Sequence, residues 1–210
     1  MCKQFYLFLL CCGLLLTGCK SDSSTSDGAA VSNVIPTATI SIDGEVSDWS
    51  GIASALSDPA GDQSGSADQD LTALYVAQDA TYLYFRLSVT GNINMMHEAA
   101  ATISEIQIGL FNYNGSCADS TNISGDQVIY LYSNGDYVQN DFLTYDDAGA
   151  LTDTTPLLTS SLGSELEIRL AKSDLLAGTT FLKFTPNILS SVDTSTTQHD
   201  IIDTNNCKSL

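Results

Sequence analysis

The stretch IDGEVSDWSGIASALSDPAGDQSGSADQDLTALYVAQDATYLYFRLSV, residues 42–89, decides the fold class. In its last part, YLYFRLSV at 82–89, apolar side chains alternate with polar ones, which is typical of an antiparallel strand with one buried face. The segment DLTALYVA, residues 70–77, is more continuously apolar, which favours a central place in a sheet. The intervening residues 78–81 have turn composition. The stretch therefore predicts two adjacent antiparallel strands.

The remainder of the chain extends this pattern. Period-two alternation recurs at 105–110 and 165–170, and Asn134-Gly135 between two strand-like runs favours a type I′ hairpin. Residues 171–177, AKSDLLA, followed by Gly178, favour one short helix. We predict an all-β fold: an antiparallel, jelly-roll-like β-sandwich with one short helix.

The N-terminus has the pattern of an export signal. Residues 1–18 contain Lys3 followed by an apolar run too short to span a bilayer as a stable helix. The run ends in LTGC, which resembles the lipobox of bacterial lipoproteins. The resemblance implies cleavage before Cys19 and acylation of Cys19, palmitate included, and several acyl chains make membrane anchoring stable. The alternative is an ordinary signal peptide with a chance cysteine.

Composition divides the mature chain into a tether and one domain. Residues 19–36 are rich in Ser, Asp and Gly, which predicts a flexible tether before a single domain at 37–210. Without its first 18 residues, which hold one Lys and no acid, the chain has 25 acidic and 6 basic residues. This charge disfavours nucleic acid and anionic lipid headgroups as partners, and it suits divalent cations or simply solubility.

Two cysteines, Cys117 and Cys207, remain after the signal and Cys19 are set aside. An even pair in an exported chain predicts a disulfide between a mid-chain loop and the C-terminal tail. The alternative is two separate free thiols.

An acidic loop precedes the first long strand. Its carboxylates are interleaved with glycine, and calcium takes six to eight oxygen ligands, to which irregular Gly-rich backbone can contribute carbonyls. The spacing is not that of an EF-hand. The loop is therefore a candidate calcium site, with a solvated acidic loop as the alternative. The candidate metal ligands are Asp58, Asp62, Asp68 and Asp70.

Several motifs resemble one family of exported sandwich domains. They are IDG(x)3DW at 42–49, DPAGD at 58–62, DLTALYVAQD at 70–79, YLYFRLSV at 82–89 and LEIRLAKSDL at 166–175. Together these motifs resemble family 9 carbohydrate-binding modules and their DOMON-like relatives. The resemblance implies a jelly-roll-like sandwich that is often calcium-stabilised. It favours Asp58, Asp62 and Asp70 near a cation and makes Trp49 a packing residue.

A glycan site needs aromatic faces beside hydrogen-bonding groups. Tyr82, Tyr84 and Arg86 share the polar face of one strand and are the candidate ligand-binding residues. The alternative is that these tyrosines serve the sheet, where Tyr is favoured and pairs across strands.

No pattern indicates catalysis. The two histidines, His97 and His199, are in no metalloprotease motif, and the chain has no GxSxG elbow. Glu165 and Glu167 face the same side of a strand and could pair for glycoside hydrolysis, but a solvated face with Arg169 as partner is the alternative. We predict that the chain is not an enzyme.

The combined prediction is a calcium-stabilised sandwich, held at the membrane by its lipid, that binds carbohydrate. The alternative is a structural or interaction lipoprotein of the cell envelope with no small-molecule ligand. Lys20 after Cys19 favours the outer membrane over the inner. The tyrosine-rich segment 130–137 is the second place to look for a ligand site.

Overall fold

The computed structural model describes residues 33–93, 103–115, 121–133, 138–192, 195–202 and 207–210. These residues form strands joined by turns and short 3-10 helices. The strands are β1 (Leu56–Ser57), β2 (Leu71–Gln78), β3 (Tyr82–Val89), β4 (Ile103–Asn114), β5 (Thr121–Asn122), β6 (Asp126–Ser133), β7 (Val138–Tyr145), β8 (Leu151–Pro156), β9 (Leu158–Leu162), β10 (Glu165–Ala171), β11 (Phe181–Val192), β12 (Ser195–Ile201) and β13 (Cys207–Ser209).

The strands form two antiparallel sheets. The smaller sheet has the order β1-β2-β3-β10-β9, and the larger has the order β12-β11-β4-β6-β7-β8, with β5 beside β4 and β13 beside β11. One hydrophobic core takes side chains from both sheets, so the sheets form a sandwich. Across this core, the rings of Phe85 on β3 and Phe184 on β11 meet edge to face at 5.7 Å between centroids. The predicted all-β, antiparallel sandwich is confirmed.

A second, smaller hydrophobic cluster lies on the outer face of the smaller sheet. Trp49, only 2% exposed, packs there with Ile40 against Ala77 of β2 and Tyr84 of β3. The predicted packing role of Trp49 is confirmed. Because this cluster covers the outer face of β2, that strand is apolar on both faces. The strand is not central in the sheet, since it lies next to the two-residue edge strand β1.

The predicted helix is shorter than its sequence pattern indicated. Residues Lys172–Asp174 form a single 3-10 turn after β10. Gly178 has φ of +87°, a conformation that favours glycine. The other 3-10 turns are Val46–Trp49 and Ala67–Gln69. The predicted hairpin pairs β6 with β7, whereas its turn, Asn134-Gly135, lies outside the described residues.

Residues 33–38 connect the edges of the two sheets. Val34 forms a parallel bridge with Ser209 of β13, which belongs to the larger sheet, and Thr37 forms one with Gln78 of β2 in the smaller sheet. The compact unit runs Ser32–Leu210, so ordered contacts begin slightly before the expected boundary at residue 37.

Two predictions concern segments that are only partly described. Cys207 is disulfide-bonded, but Cys117 lies outside the described residues, so their pairing stays a prediction. Residues 1–32, with Cys19, also lie outside them. Within the described part of the chain, no helix has the length and apolarity needed to cross a membrane.

Candidate functional site

Three aspartates from distant parts of the chain converge beside the smaller sheet. Asp58 follows β1, Asp62 lies in the loop between β1 and β2, and Asp200 belongs to β12. One carboxylate oxygen from each lies within 4.8 Å of the other two, which is close enough for all three to contact one cation. We call these three residues the acidic cluster.

The other two predicted metal ligands have different surroundings. Asp70 is 1% exposed and accepts hydrogen bonds from the backbone N–H of Gly61, at 2.9 and 3.1 Å, and from the hydroxyl of Thr90. Asp70 therefore fixes the acidic loop onto the start of β2. Asp68 accepts the backbone N–H of Asn92 at 2.7 Å and is not among the three converging carboxylates.

The acidic cluster is electrostatically unfavourable without a counter-charge. Burial, followed by the charges of Asp200, Asp62 and Asp70, raises the pKa of Asp58 from 3.8 to about 6. Burial also raises the pKa of Asp200, although its carboxylate accepts the backbone N–H of Leu71 at 2.7 Å. A divalent cation would compensate this repulsion, and carboxylate oxygens are the ligands that calcium prefers.

Asp200 was not among the sequence candidates. It lies more than a hundred residues from the acidic loop, in a strand whose register against β11 brings it to the loop. No spacing in the sequence links the two.

The predicted ligand-binding residues have mostly structural partners. Tyr84 is 2% exposed, and its hydroxyl donates to Asp79 at 2.6 Å, so its ring faces the Trp49 cluster rather than solvent. The Arg86 guanidinium donates to Glu165 at 2.8 Å and lies 3.9 Å from the centre of the Tyr75 ring. These contacts stabilise the outer face of the smaller sheet.

Tyr82 lies at the edge of a cavity. It borders a cavity of about 280 Å³ with Leu158, Ala171 and Asp174, and the Arg169 guanidinium lies 4.6 Å from its ring centre. Arg169 covers one face of this ring, which leaves less of it for a ligand.

Glu165 and Glu167 have separate hydrogen-bond partners. Glu165 accepts hydrogen bonds from Arg86 and from the hydroxyl of Ser88 at 2.6 Å. Glu167 is 0% exposed and accepts the indole N–H of Trp49 at 2.7 Å, so the solvated face with Arg169 that the alternation suggested is wrong. Covering of the smaller sheet by the Trp49 turn explains the difference. His97 and the side chain of His199 lie outside the described residues.

The larger sheet presents an aromatic and polar surface on its side away from the core. The rings of Tyr130 and Tyr132 on β6 stack there, 6.2 Å between centroids and 11° between planes. Register places Gln107 of β4 and Asp141 of β7 on either side of Tyr130. We call this surface the tyrosine face; its partly exposed members are Gln107, Tyr130, Tyr132, Gln139, Asp141 and Asn187.

The hydrogen-bonding groups of the tyrosine face have a fixed protonation state or a fixed partner. Burial, followed by the charge of Glu105, raises the pKa of Tyr130 to about 12, so its hydroxyl stays protonated at neutral pH. The Gln107 amide donates to Glu105 at 3.2 Å, and the Gln139 amide donates to Asp141. The surface thus combines two aromatic rings with oriented amides and carboxylates.

Comparisons with known proteins give similarity in structure only. No known protein-family model matches the chain, and no curated protein matches its sequence. A family 9 carbohydrate-binding module from Caldicellulosiruptor kristjanssonii in complex with cellotriose is 15% identical, with a TM-score of 0.42, over 82% of this chain and 84% of that one. The same organism's family 9 module in complex with glucose is 15% identical, with a TM-score of 0.41, over 82% and 85%. Any ligand of this chain therefore has to be argued from its own residues.

Proposed function

We propose that this chain is a lipid-anchored binding module of the cell envelope whose ligand is carbohydrate and whose sandwich is stabilised by calcium. The observation that carries the carbohydrate assignment is the tyrosine face. Pyranose rings have apolar faces that pack on aromatic rings and rims of hydroxyls that need donors and acceptors, and stacked Tyr130 and Tyr132 beside Gln107 and Asp141 supply both.

The carbohydrate proposal is tested with the full chain in detergent. Affinity electrophoresis through gels that contain a mixed-linkage β-glucan, a xylan or a galactomannan should show retardation by at least one of them. The expected pattern is retardation without release of reducing sugar, since Glu165 and Glu167 are both held in structural hydrogen bonds. Release of reducing sugar would instead indicate a hydrolase.

The calcium proposal is supported by the acidic cluster, in which three carboxylates converge and the pKa of Asp58 is raised. The expected result is a lower melting temperature in EDTA and its recovery with calcium, because an ion that binds only the folded state stabilises that state. The variant Asp200→Asn should lose most of this response, whereas Asp68→Asn should keep it. A melting temperature indifferent to both reagents would exclude the ion.

The lipid anchor is supported by the LTGC sequence at residues 16–19. Metabolic labelling with palmitate should mark the chain in its native host, and the variant Cys19→Ala should abolish labelling and release the protein from membranes. Equal labelling of the two proteins would refute acylation at Cys19. Separation of inner from outer membranes would test the outer-membrane assignment.

A second candidate is an envelope protein whose partner is another protein. Its support is the exposure of Leu151, Leu158 and Leu162 on the edge strands β8 and β9, at 53%, 46% and 57%. Exposed apolar side chains at a sheet edge are typical of protein contacts. Absence of polysaccharide retardation together with cross-linking to one envelope protein, lost in Leu158→Asp, would favour this candidate.

A further inference from the structure

The centre of the larger sheet contains a glycine that its surroundings do not require. Gly109 lies in the interior of β4, with Ile108 and Leu110 directed into the core on either side of it. Its position is therefore on the outward side, between Val128 of β6 and Thr185 of β11. Glycine at such a place weakens a strand, by about 0.5–1 kcal/mol relative to alanine.

Neither backbone conformation nor packing explains this glycine. Its φ is outside the left-handed region that favours glycine. A Cβ atom added there would lie 3.7 Å from a ring carbon of Phe111 and 3.9 Å from the Cβ of Thr185, which are ordinary van der Waals distances. Because glycine has no side chain, the outward side of β4 has only backbone between Gln107 and Phe111, next to the tyrosine face, and we call this bare position the depression.

The borders of this depression are arranged by the strand register. Along β4, Gln107 and Phe111 lie on the same side of the sheet as Gly109, and Phe111 is 37% exposed. Along β6, Val128 is followed two positions later by Tyr130. Gly109 thus has Phe111 on one side along β4 and Tyr130 on the other side on β6, and the Phe111 ring lies against the Gly109 position.

Charge restricts the class of ligand. Glu105 and Asp141 lie beside Tyr130. Among the side chains that the structure describes on this side of the sheet, Lys183 is the cation, and its ammonium lies 6.0 Å from the centre of the Phe111 ring. An anionic chain, such as a polyuronate or a nucleic acid, would be repelled by these carboxylates and by a chain whose net charge is −18. A neutral polysaccharide would not meet this repulsion.

We infer that the surface of the larger sheet around Gly109 binds a neutral polysaccharide, with one sugar ring over Gly109 and the next on Tyr130 and Tyr132. The inference rests on the proposed carbohydrate function and assigns it a site and a ligand class. Gly109 determines specificity by allowing a ring to approach the backbone, and the tyrosines supply the stacking surface.

The test compares affinities of full-chain variants for the neutral polysaccharide that retards the wild type most. Gly109→Val fills the depression with a side chain that strands favour, and Tyr130→Ala removes one stacking ring. Each should lower affinity at least about tenfold, the usual effect of one lost or obstructed contact group in a binding site. Leu162→Ala, which removes an exposed side chain from the smaller sheet, is the control and should change affinity less than about twofold. Thermal melting of every variant separates loss of the site from loss of the fold.

Each outcome has one meaning. Loss of affinity in both variants with unchanged melting, and weaker retardation by polygalacturonate than by the neutral chain, would support the inference. Wild-type affinity in Gly109→Val and in Tyr130→Ala would overturn the site while leaving the carbohydrate function intact. Stronger retardation by polygalacturonate would overturn the ligand class. Absence of retardation by every polysaccharide would overturn the proposed function itself. If Gly109→Val does not fold, Tyr130→Ala alone decides the site.

Discussion

Replacement of Glu167 by Gln should destabilise the domain more than any exposed substitution. The Glu167 carboxylate is completely buried, and its two oxygens serve different partners. One accepts the indole N–H of Trp49 at 2.7 Å; the other accepts the backbone N–H of Gly44 at 2.8 Å and of Asp43 at 3.2 Å. A glutamine side chain has only one acceptor oxygen, so its amide N–H₂ must face either the indole N–H or the two backbone N–H groups.

The magnitude follows from this count. A buried donor left without an acceptor costs about 1–3 kcal/mol. If the single oxygen of the substituted side chain stays with Trp49, two backbone donors lose their acceptor, but Asp43 is partly exposed and can turn to water. One buried donor, the N–H of Gly44, is then left without an acceptor, so the expected loss is about 1–3 kcal/mol in the free energy of unfolding. This corresponds to a fall in melting temperature of roughly 2–4 °C for each kcal/mol.

The single tryptophan provides the assay. Urea unfolding can be followed by the fluorescence of Trp49, since the chain has only one Trp. The variant Trp49→Phe, whose unfolding is followed by circular dichroism, keeps an aromatic ring but removes the N–H. The double variant Trp49→Phe/Glu167→Gln then measures the coupling between the two side chains. A loss below about 1 kcal/mol in Glu167→Gln, or additive effects in the double variant, would refute the role given to this carboxylate.

Three further predictions concern charge, redox state and an ion pair. In EDTA, the raised pKa of Asp58 means that the folded state holds a proton that the unfolded state loses near pH 3.8. This proton's contribution to stability is therefore full below pH 3.8 and is lost as pH rises through about 6. In urea unfolding, Asp58→Asn should flatten the pH dependence of stability between about pH 4 and 7 by on the order of 1 kcal/mol after solvent screening. An Asp58→Asn protein with the same pH dependence as the wild type would contradict this. If Cys117 and Cys207 form the predicted disulfide, reduction should add about two mass units and reveal two thiols that label only afterwards; labelling of either cysteine beforehand would exclude the bond. Arg86→Lys should weaken packing on Tyr75 and the bond to Glu165, with a loss of about 1 kcal/mol in the free energy of unfolding measured in urea. Arg169→Lys on the same face should lose less, because the Arg169 guanidinium lies over the Tyr82 ring and forms no ion pair with any residue that the structure describes. Equal losses would argue against a contribution from the ion pair of Arg86.

The strands were predictable because their signal is local. In β3 and β10, alternate side chains enter the core, and a pattern of period two requires no knowledge of the partner strand. The continuous apolar run of β2 was a weaker guide, since the second face is covered by the Trp49 turn rather than by a central position in the sheet. The predicted helix reduced to a 3-10 turn because the chain leads from β10 directly toward β11, and a longer helix has no apolar stripe to bury.

The candidate sites were predictable only in part because they depend on register. Two of the four loop aspartates meet, but their third partner, Asp200, reaches them through the pairing of β12 with β11. The tyrosines of β3 and of β6 look alike in sequence, yet Tyr84 is buried against the Trp49 cluster, whereas Tyr130 and Tyr132 are partly exposed. Gly109 carried no signal at all, because its meaning depends on which side of β4 faces outward.

The backbone bridges that residues 33–38 form to both sheets have a mechanical consequence. Force applied through the preceding residues would first load the backbone bonds of Asn33 and Ile35 to Ser209, and then those of Pro36 and Ala38 with Gln78. Because Ser209 belongs to the larger sheet and Gln78 to the smaller one, tension would act on the larger sheet first and on the smaller sheet afterwards. Rupture of the outermost bonds would uncover Ile35, which is 1% exposed, before any strand of the sandwich separates. Under tension the domain would thus open first at residues 33–38 while the tyrosine face kept its shape.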